Sequence, residues 1–237
     1  MDSIVFCGVR VDRVTMDEAV KKALKKEGAP CVAFTPNAGM LGACAKEPAL
    51  AELLNQATLS LPDGSGVVLA AKRRGTPLSA RVAGIDFGFE LCCAAAQRGL
   101  RVFLLGGRAG VAARAAENLK RKIPNLMICG TQHGYFDRNG EENEAVILKI
   151  LASKADILLV CLGFPIQEEW TVKHLSSFSS LQAIACLGGS LDVWAGNVKR
   201  APRFFQTHHL EWLWRMLHEP RRLRGIPSLA CFLWEAF

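Results

Sequence analysis

The chain has 237 residues, of which 50% are hydrophobic and 22% are charged. This balance excludes a disordered or fibrous protein and is typical of a globular chain with one large or two small domains. The nine cysteines are odd in number and widely spaced, as expected for small core hydrophobes in a reducing cytosol. The sequence has no Cys-x-x-Cys or His-x-x-x-His pair, so we predict no metal site.

The apolar runs of the sequence indicate the kind of membrane contact to expect. The first apolar run is interrupted by Arg10 and Asp12, which is unlike a signal peptide. No stretch approaches the roughly 18 uninterrupted apolar residues of a membrane span. We therefore expect a cytoplasmic protein whose membrane contact is peripheral.

The net charge of +7 is concentrated near the C-terminus. From Lys199 to Arg224 there are seven Lys or Arg residues and two Glu residues, an excess of five positive charges. Trp212, Trp214 and Trp234 lie in or just after this segment. Basic residues interleaved with indoles suit an anionic membrane surface. Nucleic acid also fits the charge, and a solvated basic face with inward-facing tryptophans is an equally ordinary interpretation.

Taken in chain order, the sequence alternates helical and strand patterns. A first helix is predicted to start at Thr15, with Glu18 completing a capping box, and another is predicted to open at Pro48. Apolar runs predict strands at Val32–Thr35, Ala57–Leu61, Val102–Leu105, Leu126–Gly130, Ile157–Leu162 and Ala183–Leu187. This order predicts an α/β fold with a Rossmann-like parallel sheet flanked by helices. We assign residues 1–198 to the α/β catalytic domain and 199–237 to a basic helical appendage that associates with the membrane.

Ligands of such folds bind beyond the carboxyl ends of the strands, where several residues are candidates. Gly106 and Gly107 open a helix and can cradle a diphosphate, or they can simply form a tight turn. Asp63, in Pro-Asp-Gly, is either catalytic or a helix cap. Arg81 lies among small apolar residues and needs an anionic partner, which can be a phosphate or a carboxylate. Gln167 is either a site residue or a surface residue of a first helical turn.

Absent motifs narrow the chemistry. The chain has no Asp-x-Asp, which holds the metal in many sugar-nucleotide transferases. It also has no Gly-x-Ser-x-Gly and no Walker A motif, which disfavours a serine hydrolase or a P-loop enzyme.

Motifs at the strand ends, taken together in order, carry a family resemblance over nearly the whole chain. They are Thr35-Pro36-Asn37, Pro62-Asp63-Gly64-x-Gly66, Arg81-Val82-Ala83-Gly84-x-Asp86, Leu105-Gly106-Gly107, Gly130-Thr131-x-His133-Gly134-Tyr135-Phe136, Gly163-Phe164-Pro165-x-Gln167-Glu168, Gly188-Gly189-Ser190-x-Asp192 and the block from Arg200 to Arg221. With these motifs the sequence resembles the WecG/TagA/CpsF family of bacterial glycosyltransferases.

The resemblance implies an inverting, metal-independent hexosyltransferase that needs no cofactor. Its donor is UDP-N-acetylmannosamine, and its acceptor is N-acetylglucosamine linked to undecaprenyl diphosphate, as in linkage-unit synthesis for teichoic-acid-type cell-wall polymers. Asp63 matches the family's general base. The positions expected to line the pocket are Thr35, Asn37, Arg81 and Gln167. Arg215, Arg221 and Arg224 are expected to meet the diphosphate from the appendage, while the protein sits on the anionic inner face of the cell membrane.

Other interpretations remain open at the level of sequence. The same family allows UDP-N-acetylmannosaminuronic acid or UDP-glucose as donor, in surface polysaccharide synthesis. A nucleotide-dependent oxidoreductase would use the glycine turn after Leu105, and a non-catalytic basic module would bind nucleic acid in a salt-dependent way. Neither of these two accounts for the full motif series, and we predict no nucleic-acid partner. The sequence allows a homo-oligomer without specifying one.

Overall fold

The computed structural model describes residues 2–25, 28–202, 204–205, 211, 214 and 226–236. The chain divides into two compact units. The first comprises residues 1–16, 35–83 and 199–237, and the second comprises residues 17–34 and 84–198. The chain passes from the second unit back to the first between Val198 and Lys199. The sequence analysis places the start of the C-terminal segment at the same position. A separate appendage beginning at Lys199 stays a prediction.

The elements alternate as an α/β pattern requires. In chain order they are β1 (Ser3–Phe6), β2 (Val9–Asp12), α1 (Met16–Ala23), β3 (Cys31–Phe34), α2 (Ala38–Lys46), α3 (Pro48–Leu54), β4 (Leu59–Ser60), α4 (Ser65–Arg73), α5 (Gly84–Arg98), β5 (Arg101–Gly106), α6 (Val111–Lys122), β6 (Met127–Gln132), α7 (Glu141–Ala152), β7 (Ile157–Cys161), α8 (Ile166–Lys173), a 3-10 helix (Leu175–Phe178), β8 (Ala183–Cys186), α9 (Ser190–Trp194) and α10 (Ile226–Ala236). The predicted helix starts at Thr15 and Pro48 agree with α1 and α3.

A parallel sheet forms the core of the second unit. The chain has a two-stranded and a six-stranded sheet, and five strands of the larger one lie in the second unit in the order β3-β8-β7-β5-β6. These strands are parallel, with Leu159 of β7 paired to Leu104 of β5 and to Ala185 of β8. Strands β3, β7 and β8 are buried along their whole length, since their continuous apolar runs are covered on both faces. All six predicted strands and the α/β class are confirmed.

The sequence analysis did not predict the β1–β2 hairpin in the first unit. Its strands pair antiparallel around Cys7 and Gly8, whose φ angles are +48° and +74°. Glycine adopts such angles easily, whereas a cysteine there is unusual and gives no turn signal in the sequence. The hairpin's short strands therefore read as one broken apolar run.

Helix α10 packs closely on α2 in the first unit. A Cβ atom added at Gly42 would lie 1.6 Å from the backbone oxygen of Ser228, so the absent side chain permits this approach. Phe232 of α10 is fully buried, and its ring centroid lies 5.8 Å from that of Phe6. The end of the chain thus contributes core to the first unit. No helix in the described part of the chain is long and apolar enough to cross a bilayer.

The cysteines are free thiols, as predicted. Six of them are buried, and the other three are half-buried. Burial raises the pKa of Cys92 and Cys161 to about 12, so both remain protonated thiols at neutral pH. They act as small apolar residues in the core.

Candidate functional site

Three loops of the first unit meet around Asp63. The Asp63 amide donates to the carbonyl of Pro36 at 3.3 Å, and the Val82 amide donates to the carbonyl of Pro62 at 3.0 Å. A Cβ atom added at Gly64 would lie 3.6 Å from the Cβ of Asn37. The loops carrying Asn37, Asp63 and Arg81 are therefore adjacent, although their positions in the sequence are up to 44 residues apart.

Asp63 lies just before helix α4, and the N-cap residue of that helix is Gly64, with φ of +91°. Asp63 is therefore one residue outside the N-cap position, and the choice between its catalytic and helix-cap interpretations stays a prediction. The Asp63 side chain is 25% exposed, so its carboxylate is reachable by a ligand while being partly withdrawn from water.

Asn37 does have a clear capping role. Its Oδ1 atom accepts hydrogen bonds from the Gly39 and Met40 amides at 3.0 and 3.2 Å, which fixes the first turn of α2. Thr35, directly after β3, is buried. The structure thus places Asn37 beside the Asp63 loop, and its contact with a substrate stays a prediction.

Arg81 lies between two carboxylates. Its Nη2 atom donates to Glu211 Oε2 at 2.7 Å and lies 3.9 Å from Asp63 Oδ1, which is too long for a hydrogen bond. Arg200 approaches the other Glu211 oxygen, with Nε 3.7 Å from Oε1. The interpretation of Arg81 as an ion-pair partner is therefore confirmed. Its Nε atom is buried and has no hydrogen-bond partner among the described residues.

Sequence reasoning assigned no role to Glu211. Glu211 is one of only two acidic residues in the basic segment from Lys199 to Arg224, and this rarity was the available signal. Its side chain is only 6% exposed, so its two arginine contacts take place largely out of water. Arg215, Arg221 and Arg224 lie outside the described residues.

Gln167 lies in the second unit and is buried, so its interpretation as a surface residue is wrong. Its Oε1 atom accepts from the Gly188 amide at 3.0 Å, and its Nε2 atom donates to Glu168 Oε1 at 2.8 Å. Glu168 is fully buried, and this desolvation raises its pKa to about 7. Gln167 therefore joins the segment after β7 to the turn after β8.

The glycine turn after β5 has a packing explanation. A Cβ atom at Gly106 would lie 2.2 Å from the Cys161 carbonyl oxygen, and Gly106 and Gly107 have φ angles of +139° and +68°. Both positions therefore require glycine for backbone reasons. Diphosphate binding at this turn stays a prediction.

A cavity of about 300 Å³ in the second unit includes residues of the Gly130–Phe136 motif. Tyr135 in its wall is 71% exposed, and Lys149 donates to Gln132 Oε1 at 2.8 Å. An exposed aromatic ring beside hydrogen-bonding groups can bind a sugar or a base. No cluster of three metal-ligating side chains occurs within the described ranges.

Comparison with known proteins identifies the family of the chain. Residues 4–237 match the Glycosyl transferase WecG/TagA/CpsF family. The chain is 39% identical over 205 residues to the N-acetylglucosaminyldiphosphoundecaprenol N-acetyl-beta-D-mannosaminyltransferase of Bacillus spizizenii strain W23, covering 86% of this chain and 77% of that protein. It is 36% identical over 201 residues to the protein of the same name from Staphylococcus aureus strain MW2, covering 85% and 77%. The chain therefore belongs to the WecG/TagA/CpsF family of glycosyl transferases.

Proposed function

We propose that this protein transfers N-acetylmannosamine from UDP-N-acetylmannosamine to N-acetylglucosamine linked to undecaprenyl diphosphate, with inversion at the sugar carbon. Family membership and the shared name of the two relatives support this reaction. The observation that carries the proposal is the partly exposed Asp63 carboxylate beside Arg81 where three loops meet. The product would serve as a linkage unit for a cell-wall polymer of the teichoic acid type.

Asp63 is the general base in this proposal. Inversion requires the acceptor hydroxyl to attack the face opposite the departing UDP, and a carboxylate must take the hydroxyl proton as the new bond forms. Asp63 is 25% exposed, so it can meet a hydroxyl directly. Gly64 and Gly66 allow the Asn37–Ala38 segment to approach closely, since added Cβ atoms would lie 3.6 Å from Asn37 Cβ and 3.2 Å from Ala38 Cβ.

Arg81 meets the diphosphate. A leaving diphosphate gains negative charge in the transition state, and fixed cationic donors stabilise that charge. The Arg81 side chain is 20% exposed and its guanidinium carries five N–H donors, so a donor other than the one held by Glu211 can bind a phosphate oxygen. In this mechanism Arg81 and arginines of the appendage stabilise the negative charge of the leaving diphosphate, and no metal or cofactor is required. Thr35, Asn37 and Gln167 orient sugar or diphosphate from the surrounding segments.

The protein docks on an anionic membrane surface through its C-terminal segment. The five excess positive charges between Lys199 and Arg224 attract an anionic leaflet, at about 1 kcal/mol for each basic residue near the surface. Trp234 on α10 is 92% exposed, and an apolar groove next to it is lined by Ala45, Ala230 and Cys231. An exposed indole beside basic residues suits the lipid headgroup region. This position brings the enzyme to its lipid-linked acceptor on the inner leaflet.

The experiment that tests the reaction measures turnover of Asp63→Asn with a short-chain lipid-diphosphate N-acetylglucosamine and a panel of UDP-sugars. Asparagine is nearly isosteric but cannot accept the proton, so turnover should fall roughly 10²- to 10⁴-fold with UDP binding retained. Exposed Asp17, changed to Asn, is the matched control. Near-normal turnover of Asp63→Asn would eliminate Asp63 as the base, and preference for another UDP-sugar would change the donor.

Membrane docking has its own test. Trp234→Ala should reduce binding to vesicles of anionic phospholipid about tenfold, because the exposed indole buries its apolar surface in the lipid when the protein binds. Transfer to a soluble short-chain acceptor should stay normal. Unchanged vesicle binding by this variant would remove Trp234 from the docking surface.

A further inference from the structure

We propose that Glu211 is a positioning residue for the transfer reaction: it holds the Arg81 guanidinium and keeps Asp63 a stronger base than it would otherwise be. The inference rests on the proposed function, since it takes Asp63 as the base. It assigns an electrostatic task to an acidic residue of the otherwise basic C-terminal segment.

The geometry places two carboxylates on one guanidinium nitrogen. Glu211 Oε2 lies 2.7 Å from Arg81 Nη2, and Asp63 Oδ1 lies 3.9 Å from the same atom. Arg81 thus donates a charge-assisted hydrogen bond to Glu211 and lies near Asp63 without forming a hydrogen bond to it. Since the nitrogen is held by Glu211, it is kept from closing on the base.

Burial strengthens this arrangement. The Glu211 side chain is 6% exposed and the Arg81 side chain 20%, so water screens their pairing less than it would at the surface. Arg200 faces Glu211 from its other side, with Nε 3.7 Å from Oε1. Among the residues that the structure describes, the charged groups facing Glu211 include Arg81 from the loop before α5 and Arg200 from the start of the C-terminal segment.

The chemistry requires such a balance. A guanidinium in contact with a carboxylate lowers the pKa of that carboxylate by roughly one to three units. The carboxylate is then a weaker base. A second carboxylate near the same guanidinium offsets this effect. Glu211 therefore lets Arg81 stand close enough to Asp63 for diphosphate binding without neutralising the base.

Glu211 lies 130 residues after Arg81 in the sequence, within the C-terminal segment. Correct placement of that segment is thus a condition for full base strength at Asp63. The segment contributes a negative charge to the site in addition to any positive charge that its arginines bring.

The test is the pH dependence of kcat/KM for Glu211→Gln. Glutamine can still accept a hydrogen bond from Arg81 but lacks the charge, so the acid limb of the profile should move about one unit to lower pH and the plateau should fall about tenfold. Glu211→Asp keeps the charge and should leave the limb in place. Exposed Asp2, changed to Asn, controls for loss of one negative charge in the same unit.

A second variant gives the opposite sign. Arg200→Gln removes a cation that partly neutralises Glu211, so its acid limb should move to higher pH, by less than one unit. A structural role for Glu211 would lower stability and activity without moving the limb in either variant, and an unmoved limb in both overturns the inference. Normal turnover of Asp63→Asn would instead reject Asp63 as the base. Absence of transfer from UDP-N-acetylmannosamine by the wild type would reject the proposed function, so these failures are distinguishable from an unmoved acid limb.

Discussion

Two buried glutamates, one in each unit, are held in opposite ways. Glu211 in the first unit faces the guanidinium groups of Arg81 and Arg200. Glu168 in the second unit is fully buried and accepts a hydrogen bond from the neutral Gln167 amide. The second Glu168 oxygen, Oε2, has no hydrogen-bond partner among the residues that the structure describes.

The difference shows what decides the charge of a buried carboxylate. Burial disfavours the ionised form, and a nearby cation favours it. At Glu168 burial dominates, and its pKa rises from 4.5 to about 7. Glu211 instead forms ion pairs with the guanidinium groups of Arg81 and Arg200. Glu168 is thus suited to hold Gln167 and the Gly188 turn in place, whereas Glu211 is suited to act on Arg81 through an ion pair.

The largest expected effect comes from giving Glu211 the surroundings of Glu168. Arg81→Met removes the nearer cation and leaves a buried carboxylate poorly paired, which should lower the free energy of unfolding by about 3 kcal/mol at pH 8. Urea unfolding of wild type and variant at pH 8 checks this. Equal stability of the two proteins would show that Glu211 does not depend on Arg81 for its pairing.

The next effect concerns Glu168 and its raised pKa. The folded protein binds a proton at Glu168 more tightly than the unfolded chain, so this residue lowers the free energy of unfolding as pH rises from about 4.5 to about 7. Glu168→Gln has no proton to lose. Its stability relative to wild type should therefore be about 2 to 3 kcal/mol more favourable at pH 8 than at pH 5.

Urea unfolding at several pH values measures that difference. The matched control is Glu117→Gln, since Glu117 is an exposed helical residue of the same unit. If the difference between wild type and Glu168→Gln were the same at every pH, the Glu168 carboxylate would be titrating as it does in the unfolded chain.

The smallest expected change in stability concerns Arg200, the more distant of the two arginines that face Glu211. Arg200 Nε lies 3.7 Å from Glu211, and the Arg200 side chain is 29% exposed, so this pairing is long and partly screened. Arg200→Gln should lower the free energy of unfolding by roughly 0.5 to 1 kcal/mol. Thermal unfolding at low and high salt checks this value, and the loss should be smaller in high salt. A loss as large as that of Arg81→Met would make Arg200 an equal partner of Glu211.

The sequence determined the elements that depend on local pattern. Continuous apolar runs predicted six strands because strands buried on both faces leave no polar position to interrupt them. Pro48 predicted the start of α3 because proline suits a first helical turn. The motif series identified the family and placed Asp63 and Gln167 after strands, whereas Arg81 lies in the loop between α4 and α5. The β1–β2 hairpin escaped because its turn uses Cys7 where Asn or Gly would have given a signal.

Tertiary structure alone decided the partners of these residues. Arg81 needed an anion on any interpretation of the sequence, but its carboxylate lies 130 residues away, and nothing in local spacing encodes a pairing at that distance. Gln167 reads as a polar residue of a first helical turn, and only the approach of Gly188 and Glu168 makes it a buried link. Charge and hydrogen bonding depend on distance in space and on the exclusion of water, and folding sets both.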